Sequence, residues 1–279
     1  MRLIALIILA LLYAAPAAAQ RTPFPDGTNE IAYGADPRQR LEFSPATAPG
    51  APLVVFIHGG AWCMGDMASA GHMAAHFHGR GYAFASLNYR LVPQVNPQQQ
   101  GEDVAAAIAR LLGDAAALGI DRSRLMIIGH SAGAHLAALI ATDPAYLAAH
   151  HIPIGAIGGV VLLDGAGYDV AAQLAGAGPV LRGLYDYAFG RDPAFQRHVS
   201  PIAHAAAPNA GRFLIFHIAS RSDSGAQSVR LAALLRGAGT PAEVVSVDGT
   251  HAEIYRNFGQ PGHRPTEATD AFAAALFGR

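Results

Sequence analysis

The amino-acid sequence predicts an α/β fold with a doubly wound, mostly parallel sheet. From residue 52 to the C-terminus, apolar runs of strand length alternate with stretches of helical composition, as in chains that join parallel strands by helical crossovers. Two of these runs, 52–57 and 82–87, are almost entirely apolar, which is typical of strands buried on both faces. The pentapeptide Gly-His-Ser-Ala-Gly at 129–133 lies between a third apolar run and a helix-prone segment. That context predicts a strand, a sharp turn and a helix.

Length and composition favour one large domain. The chain has 279 residues, of which 52% are hydrophobic and 14% charged, so it can bury a large core. We expect a single domain over residues 20–279. The formal net charge of −1 provides no long-range field that would attract nucleic acid or an anionic membrane. The expected partner is therefore a small neutral or weakly charged molecule, not nucleic acid.

The first residues have the pattern of a secretory signal peptide. Arg2 supplies a positive charge, residues 3–12 form an apolar core, and residues 17–19 form an Ala-x-Ala cleavage site. The apolar run is shorter than the roughly 20 residues that a membrane span requires. We expect residues 1–19 to be removed and the mature chain, without an integral membrane segment, to be exported to the periplasm or the medium. Cys63 is the single cysteine and allows no intrachain disulfide, so the core must supply the stability.

The remaining strands and helices follow from the same patterns. Residues 20–52 are rich in proline and contain two strand-like pieces, 30–33 and 40–43, which predict an antiparallel edge of the sheet. In 101–118, apolar residues recur at helical spacing and form one stripe, namely Val104, Ile108, Leu111 and Leu112. Further strands are predicted at 125–128, 156–163, 212–219 and 242–247, and helices at 67–79, 132–142, 227–235 and 266–276.

Residues 165–211 interrupt the alternation of strands and helices. The segment is rich in glycine and contains the aromatic residues Tyr168, Tyr185, Tyr187 and Phe189. A stretch of this length without strands is usually functional or helical in its own right. We interpret it as a cap over the site that the strand ends form.

The motif at 129–133 places Ser131 at the apex of the strand-to-helix turn. Such a turn holds a serine in strained backbone geometry with its hydroxyl exposed, and the flanking glycines allow strand and helix to approach closely. A serine hydroxyl is a poor nucleophile at neutral pH and needs a base within hydrogen-bond reach, itself oriented by a carboxylate. We therefore interpret Ser131 as a catalytic nucleophile.

Position selects the base and the acid from many candidates. Among 13 histidines, His251 follows the last predicted strand, where a loop can return its imidazole to Ser131. The chain order serine, acid, histidine places the acid between these two residues. Asp223, after the strand that ends near residue 219, is the first choice, and Asp169 and Asp164 are the alternatives.

The segment His58-Gly59-Gly60, directly after the strand at 52–57, supplies candidate oxyanion donors. Acyl transfer develops negative charge on a carbonyl oxygen, and backbone N–H groups stabilise that charge. Glycines allow the backbone to approach the substrate closely. We expect the amides of Gly59, Gly60 and Ala132 to form this oxyanion hole.

These motifs resemble the α/β-hydrolase superfamily, and within it the carboxylesterases and lipases related to hormone-sensitive lipase and the arylformamidase-like esterases. The residues that carry the resemblance are 58–62 with Gly65 and Asp66, 129–133, Asp223 and His251. The resemblance implies a cofactor-free serine hydrolase that cleaves carboxylic esters through an acyl-enzyme. In two places the chain departs from the family pattern. Ala61 replaces the third glycine of the longer His-Gly-Gly-Gly form, and residues 221–224 are shorter than the usual acid loop.

Two other functions use the same scaffold. An arylformamidase-like amide hydrolase would need the same catalytic residues, although an exported protein does not suit a cytosolic catabolic role. A noncatalytic binding module is the second alternative, and the intact serine, histidine and glycines disfavour it. His72, His76 and His78 have a spacing that metal ligands use, but no cysteine or acidic residue adjoins them. We interpret them as one face of a helix and predict no metal site.

Overall fold

The computed structural model of the protein describes residues 24–278. The predicted signal peptide, residues 1–19, lies outside the described residues. The centre of the described chain is an 8-stranded sheet with the order β1-β2-β4-β3-β5-β6-β7-β8. Its strands are β1 (Asn29–Ala32), β2 (Arg40–Ser44), β3 (Ala51–Ile57), β4 (Ala83–Leu87), β5 (Ile120–His130), β6 (Ile157–Leu163), β7 (Phe213–Ile218) and β8 (Ala242–Val247).

The sheet is parallel except at one edge. β1 pairs antiparallel with β2, and β2 pairs antiparallel with β4, whereas all pairings from β4 through β8 are parallel. Helices connect the parallel strands. The α/β fold class with a mostly parallel sheet is therefore confirmed, including the antiparallel edge.

The helices cover both faces of the sheet. They are α1 (Met73–Gly79), α2 (Pro97–Gly113), α3 (Ala115–Leu118), α4 (Ala132–Thr142), α5 (Ala145–Ala148), α6 (Val170–Gly176), α7 (Pro179–Phe189), α8 (Pro193–His198), α9 (Ser222–Gly237), α10 (Glu253–Arg256) and α11 (Arg264–Phe277). Short 3₁₀ helices lie at Met67–Ala70, Ile154–Ala156 and Pro201–Ala203. Among residues 24–278, no helix has both the length and the apolar character that a membrane crossing requires.

The core explains why the central strands have no polar face. Every residue of β3 is buried, and its side chains alternate between two apolar clusters, one on each face of the sheet. Leu53, Val55 and Ile57 belong to one cluster, and Val54 and Phe56 belong to the other. A strand covered on both faces must be apolar at every position, because each side chain leaves water.

Two helices begin four or five residues earlier than the apolar pattern predicts. α2 begins at Pro97 because Asn96 and Gln99 cap its first turn reciprocally, which satisfies amides that the helix itself cannot pair. α9 begins at Ser222, so Asp223 lies in its first turn rather than in a loop before residue 227. The segment 165–211 contains α6, α7, α8 and the 3₁₀ helix at Pro201–Ala203.

Candidate active site

Ser131 lies in the tight turn between β5 and α4. Its backbone has φ 54° and ψ −118°, in the positive-φ region that is strained for a residue with a side chain. The Ser131 amide donates to the carbonyl of Leu163 at the end of β6 over 3.0 Å, and the Ser131 carbonyl accepts from the amide of Ala134 over 3.0 Å. The neighbouring strand and the following helix therefore hold the strained turn in place.

The glycines on either side of the turn have no room for a side chain. A Cβ on Gly129 would lie 2.3 Å from the carbonyl oxygen of Gly133, and a Cβ on Gly133 would lie 2.1 Å from the carbonyl oxygen of Ile57. Both neighbours are backbone atoms, which cannot rotate away as a flexible side chain can. The close approach of β3, β5 and α4 thus requires glycine at both positions.

The loop after β3 lies against Ser131. A Cβ on Gly59 would come within 2.9 Å of the Ser131 Cβ, and a Cβ on Gly60, where φ is 131°, would lie 2.1 Å from the carbonyl oxygen of Met64. Within residues 24–278, the amides of Gly59, Gly60 and Ala132 donate no hydrogen bond to another protein group. These amides are available to a substrate oxygen, as an oxyanion hole requires.

Buried neighbouring side chains hold the loop after β3 in place. His58 is fully buried and stacks on Tyr89, with 4.4 Å between ring centroids, and the Tyr89 hydroxyl donates to the His58 carbonyl over 2.9 Å. Burial lowers the pKa of His58 to about 4, so the ring is neutral near pH 7. The Gln100 side chain donates to the carbonyl of Trp62 over 2.6 Å. The loop is therefore held by hydrogen bonds from two buried side chains.

His251 lies in the loop between β8 and α10, and its side chain is 40% exposed. The carboxylate of Glu253 accepts from the amide of Thr250 over 2.8 Å, and the hydroxyl of Thr250 accepts from the amide of Glu253 over 3.2 Å. This reciprocal cap orders the residues around His251. Nε2 of His130 donates to the carbonyl of His251 over 2.8 Å, which ties the loop to the residue next to Ser131.

The structure corrects the predicted acid. Nδ1 of His251 lies 2.5 Å from Oδ2 of Asp164, whereas Asp223 Oδ2 accepts from the Gln173 side chain over 3.2 Å and lies 3.6 Å from Nη2 of Arg221. The physical reason is the early start of α9, which places Asp223 in a helical turn where its side chain is 43% exposed. Asp169, the other alternative, caps α6 and pairs with Arg230. Asp164 is the carboxylate that faces His251.

Asp164 directly follows β6 and has φ 47°, and its side chain is fully buried. Its Oδ1 accepts from the amide of Ile218 over 3.1 Å, and its Oδ2 contacts Nη1 of Arg221 at 2.5 Å. Burial acts to raise the pKa of this carboxyl. The hydrogen bond with His251 and the charge of Arg221 outweigh burial and hold the pKa of Asp164 well below its usual range. Asp164 is therefore a carboxylate at neutral pH.

Helix α7 of the segment 165–211 packs on the loop after β3. The ring of Trp62 lies 4.5 Å from that of Phe189 and 6.0 Å from that of Tyr185, centroid to centroid. Nε1 of Trp62 donates to Nδ1 of His135 over 3.2 Å. Trp62, which closely follows the predicted oxyanion-hole glycines, therefore packs against α7.

The comparisons with solved structures agree with this architecture. An inhibited esterase B from Lactobacillus rhamnosis superimposes with a TM-score of 0.81 and 20% identity over 99% of this chain and 97% of that chain. The two chains therefore share a fold. The α/β fold that accompanies the motifs at 58–62 and 129–133 is thereby confirmed.

The sequence comparisons match only part of the chain. The BD-FAE family model matches residues 43–149. Isoprenylcysteine alpha-carbonyl methylesterase ICME of Arabidopsis thaliana is 36% identical over 110 residues, which are 39% of this chain and 26% of that protein. Carboxylesterase NlhH of Mycobacterium tuberculosis is 35% identical over 124 residues, or 44% of this chain and 37% of that protein. The chain thus spans well under half the length of the curated relatives that it matches.

The candidate site contains two residues that the sequence patterns missed. Adjacent residues on a tight turn usually point apart, but the ring of His130 lies 4.6 Å from that of His251. Burial lowers the pKa of His130 to about 3, so the ring is neutral. Arg221 contacts both Asp164 and His251, and its position after β7 was the only signal in the sequence that could have indicated this role.

The histidines of α1 have structural partners. Nε2 of His76 lies 2.8 Å from a carboxylate oxygen of Asp270, and Nδ1 of His78 donates to the carbonyl of Pro45 over 2.9 Å. Among residues 24–278, no group of three His, Cys, Asp or Glu side chains has the geometry of a metal site. These histidines contribute to packing between α1 and its neighbours.

Proposed function

We propose that the protein is a serine hydrolase that cleaves carboxylic esters of small molecules through an acyl-enzyme intermediate. The observation that supports it best is that Ser131, in a strained turn beside unpaired amides, lies at the same edge of the parallel sheet as the hydrogen-bonded Asp164–His251 pair. Relatives with 35–36% identity over part of their length carry esterase names. We assign Ser131 as the nucleophile, His251 as the base and Asp164 as the residue that orients His251.

In the first half of the reaction, Nε2 of His251 takes the proton from the Ser131 hydroxyl as Oγ attacks the ester carbonyl carbon. The carbonyl oxygen becomes negative and accepts hydrogen bonds from the amides of Gly59, Gly60 and Ala132. The carbon–oxygen bond to the alcohol then breaks, and His251 returns the proton to the departing alkoxide. The product is an ester of Ser131 and a free alcohol.

In the second half, His251 removes a proton from water, and the resulting hydroxide attacks the acyl carbon. The bond to Ser131 Oγ breaks, His251 protonates that oxygen, and the carboxylic acid leaves. Among the described residues, 24–278, no hydrogen bond joins the Ser131 hydroxyl to His251. Catalytic hydrogen bonds of this kind often form only when substrate binds.

The segment 165–211 is proposed to act as the cap that selects the acyl or alcohol group. Support comes from α7, whose Tyr185 and Phe189 contact Trp62 close to the oxyanion loop. The α7 residues Val180 and Leu181 are 56% and 47% exposed, so this helix offers apolar surface at its first turn. Apolar surface of this kind suits the hydrocarbon part of an ester.

We also propose that residues 1–19 direct export to the periplasm or the medium. N-terminal sequencing of the protein recovered outside the cytoplasm is expected to start near Gln20. A chain that keeps Met1 and stays in the cytoplasmic fraction would contradict export without affecting the proposed chemistry.

The test of the proposed function is hydrolysis of p-nitrophenyl butyrate by wild type, Ser131→Ala and the exposed-site control Ser123→Ala. We expect a loss of roughly 10⁴-fold or more for Ser131→Ala and no loss for the control. A fluorophosphonate probe should label wild type and Ser123→Ala but not Ser131→Ala. Activity or labelling that survives in Ser131→Ala contradicts the assignment. Faster hydrolysis of an N-formyl arylamine than of the ester would favour the amide hydrolase.

A further inference from the structure

Arg221 occupies a place at the catalytic pair that the hydrolysis itself does not require. Its Nη1 lies 2.5 Å from Oδ2 of Asp164 and 2.7 Å from Nδ1 of His251. Nδ1 of His251 is itself 2.5 Å from the same Oδ2. Three polar atoms, one each from Asp164, Arg221 and His251, thus form a closed triangle.

The proton positions in this triangle follow from the chemistry of its members. Asp164 is ionised and only accepts hydrogen bonds, so its short contact with Nδ1 requires a proton on Nδ1. A guanidinium nitrogen only donates, and Nη1 also donates to Oδ2. The contact between Nη1 and Nδ1 therefore joins two donors. It is electrostatically unfavourable, and more so when His251 gains its second proton.

Other charged and titratable groups surround His251. Asp164 faces it from the end of β6, Arg221 from the connection between β7 and α9, and His130 from the end of β5. Asp223, on α9, lies 3.6 Å from Nη2 of Arg221, and Tyr185 of α7 lies near the Asp164–Arg221–Asp223 group. The ring of Tyr255 of α10 lies 4.3 Å from that of His130, centroid to centroid, at an interplanar angle of 38°. Arg221 is the cation among these groups that touches His251.

Asp164 remains anchored without Arg221. Its Oδ1 accepts from the amide of Ile218 over 3.1 Å, and Nδ1 of His251 still donates to Oδ2. The arginine side chain is only 24% exposed and is held on its outer side by Asp223, so solvent screens its charge poorly. The main effect of Arg221 on His251 is therefore electrostatic.

We propose that Arg221 is a positioning residue that sets the acidic limit of the hydrolysis by opposing a second proton on His251 while it holds Asp164. The role rests on the proposed function, in which only the neutral imidazole accepts the proton of Ser131. Arg221 places a positive charge 2.7 Å from Nδ1 of His251, so a second proton on that ring would lie beside a like charge. The same charge makes the imidazolium intermediate less stable, so the neutral imidazole is protected at the expense of base strength.

The test compares wild type, Arg221→Gln, Arg221→Lys and the control Arg236→Gln, which removes an exposed arginine at the far end of α9. The first readout is the pH profile of kcat/KM for p-nitrophenyl butyrate. In Arg221→Gln the acidic limb is expected to move to higher pH by about one unit, as removal of a charge within contact distance predicts. Arg221→Lys keeps the charge and should follow wild type more closely, and Arg236→Gln should not shift.

The second readout does not require activity. The protonation of the His251 imidazole is followed by ¹⁵N NMR, with its signals assigned by their absence in His251→Gln. Uptake of the second proton at a pH about one unit higher in Arg221→Gln than in wild type supports the role. An unchanged midpoint, or a lower plateau of kcat/KM without a shift of the limb, overturns it in favour of a purely structural arginine.

The two readouts separate this proposal from the proposed function. If no variant hydrolyses the ester but the NMR midpoint shifts, the hydrolase assignment fails and the electrostatic action of Arg221 stands. If wild type is active and neither the limb nor the midpoint shifts, the hydrolase assignment stands and the role of Arg221 fails.

Discussion

The two halves of the site hold their geometry by different means. The backbone half consists of the loop 58–65 and the turn 129–133. Its functional groups are backbone amides and the hydroxyl of one serine. The charged half consists of Asp164, Arg221 and His251, and its functional groups are the side chains of these three residues, which lie on separate loops. In the backbone half, atoms meet so closely that a Cβ at Gly133 would lie 2.1 Å from another backbone atom. In the charged half, hydrogen bonds and charge determine the arrangement.

This difference determines which amino-acid substitutions each half tolerates. Steric contact between backbone atoms permits a single residue type, and a change there affects folding before it affects chemistry. A carboxylate can reach His251 from more than one strand end, because the charged half needs only an acceptor at hydrogen-bond distance from Nδ1. The family model matches residues 43–149, which contain the backbone half and none of the charged half.

The strongest test of the comparison replaces each of the two carboxylates, Asp164 and Asp223, by an amide in a separate variant. In Asp164→Asn, the amide no longer stabilises the imidazolium or selects the Nδ1–H tautomer, and kcat should fall by about 10³- to 10⁴-fold. Asp223→Asn changes a side chain that contacts Gln173 and Arg221 rather than His251, so we expect a loss of about threefold or less. Steady-state kinetics on p-nitrophenyl butyrate measure both.

Thermal unfolding of the same variants is the control, because Asp164 is buried and its substitution also affects stability. If both variants are folded and kcat falls further in Asp223→Asn than in Asp164→Asn, Asp223 and not Asp164 is the acid that orients His251.

Gly133→Ala tests whether backbone contact limits the other half. The added methyl group would meet the carbonyl oxygens of Ile57 and His58 at 2.1 and 2.4 Å, and the free energy of unfolding should fall by about 3 kcal/mol. The matched control is Gly113→Ala at the end of α2, where an added Cβ has nothing within 4 Å and the change should be under about 1 kcal/mol. Urea denaturation compares them, and equal midpoints for the two variants would refute the steric argument.

Acid should destabilise the support of the backbone half through His135, a buried histidine of α4 that contacts Trp62. Burial lowers the pKa of His135 from an ordinary value of 6.5 to about 4 and outweighs the opposite effect of its hydrogen bond to the carbonyl of Val199. The neutral ring also accepts a hydrogen bond from Nε1 of Trp62. Below pH 6.5 the unfolded chain binds the proton and the folded chain does not, so stability is full above this pH and falls as pH decreases toward 4. One histidine contributes a slope of about 1.4 kcal/mol per pH unit.

His135→Gln removes this titration. The plot of unfolding free energy against pH, measured between about pH 6 and about pH 4.5, should lose a slope of about 1.4 kcal/mol per pH unit relative to wild type. Parallel plots for the two proteins would show that His135 does not stay neutral in the folded chain.

The smallest expected effect concerns the link between the halves. His130→Phe keeps an aromatic ring against His251 and Tyr255 but removes the 2.8 Å hydrogen bond to the His251 carbonyl. Loss of one hydrogen bond that orders the loop should lower kcat/KM by about five- to tenfold. His130→Gln retains an N–H donor and should stay within about twofold of wild type. If the phenylalanine variant retains full activity, the two halves are positioned independently.

Local patterns in the sequence were sufficient for the backbone half. Ser131, the glycines around it and the loop at 58–60 lie within short segments where strand, turn and helix follow directly from residue type. The parallel sheet followed from the buried strands in the same way. For α9, in contrast, the apolar pattern placed the start at residue 227, whereas the chain begins the helix at Ser222, and that difference moved Asp223 out of the predicted acid loop.

The sequence by itself determined the fold class, the strained serine and the glycines that must lie beside it, because those features depend on the sterics of a few consecutive residues. Only the tertiary structure decided that Asp164 and not Asp223 faces His251, that Arg221 joins them and that His130 holds the histidine loop. These contacts join the ends of β5, β6, β7 and β8, residues that are up to 121 positions apart. Their choice depends on distances of a few ångströms between loops, which the packing of the whole sheet sets.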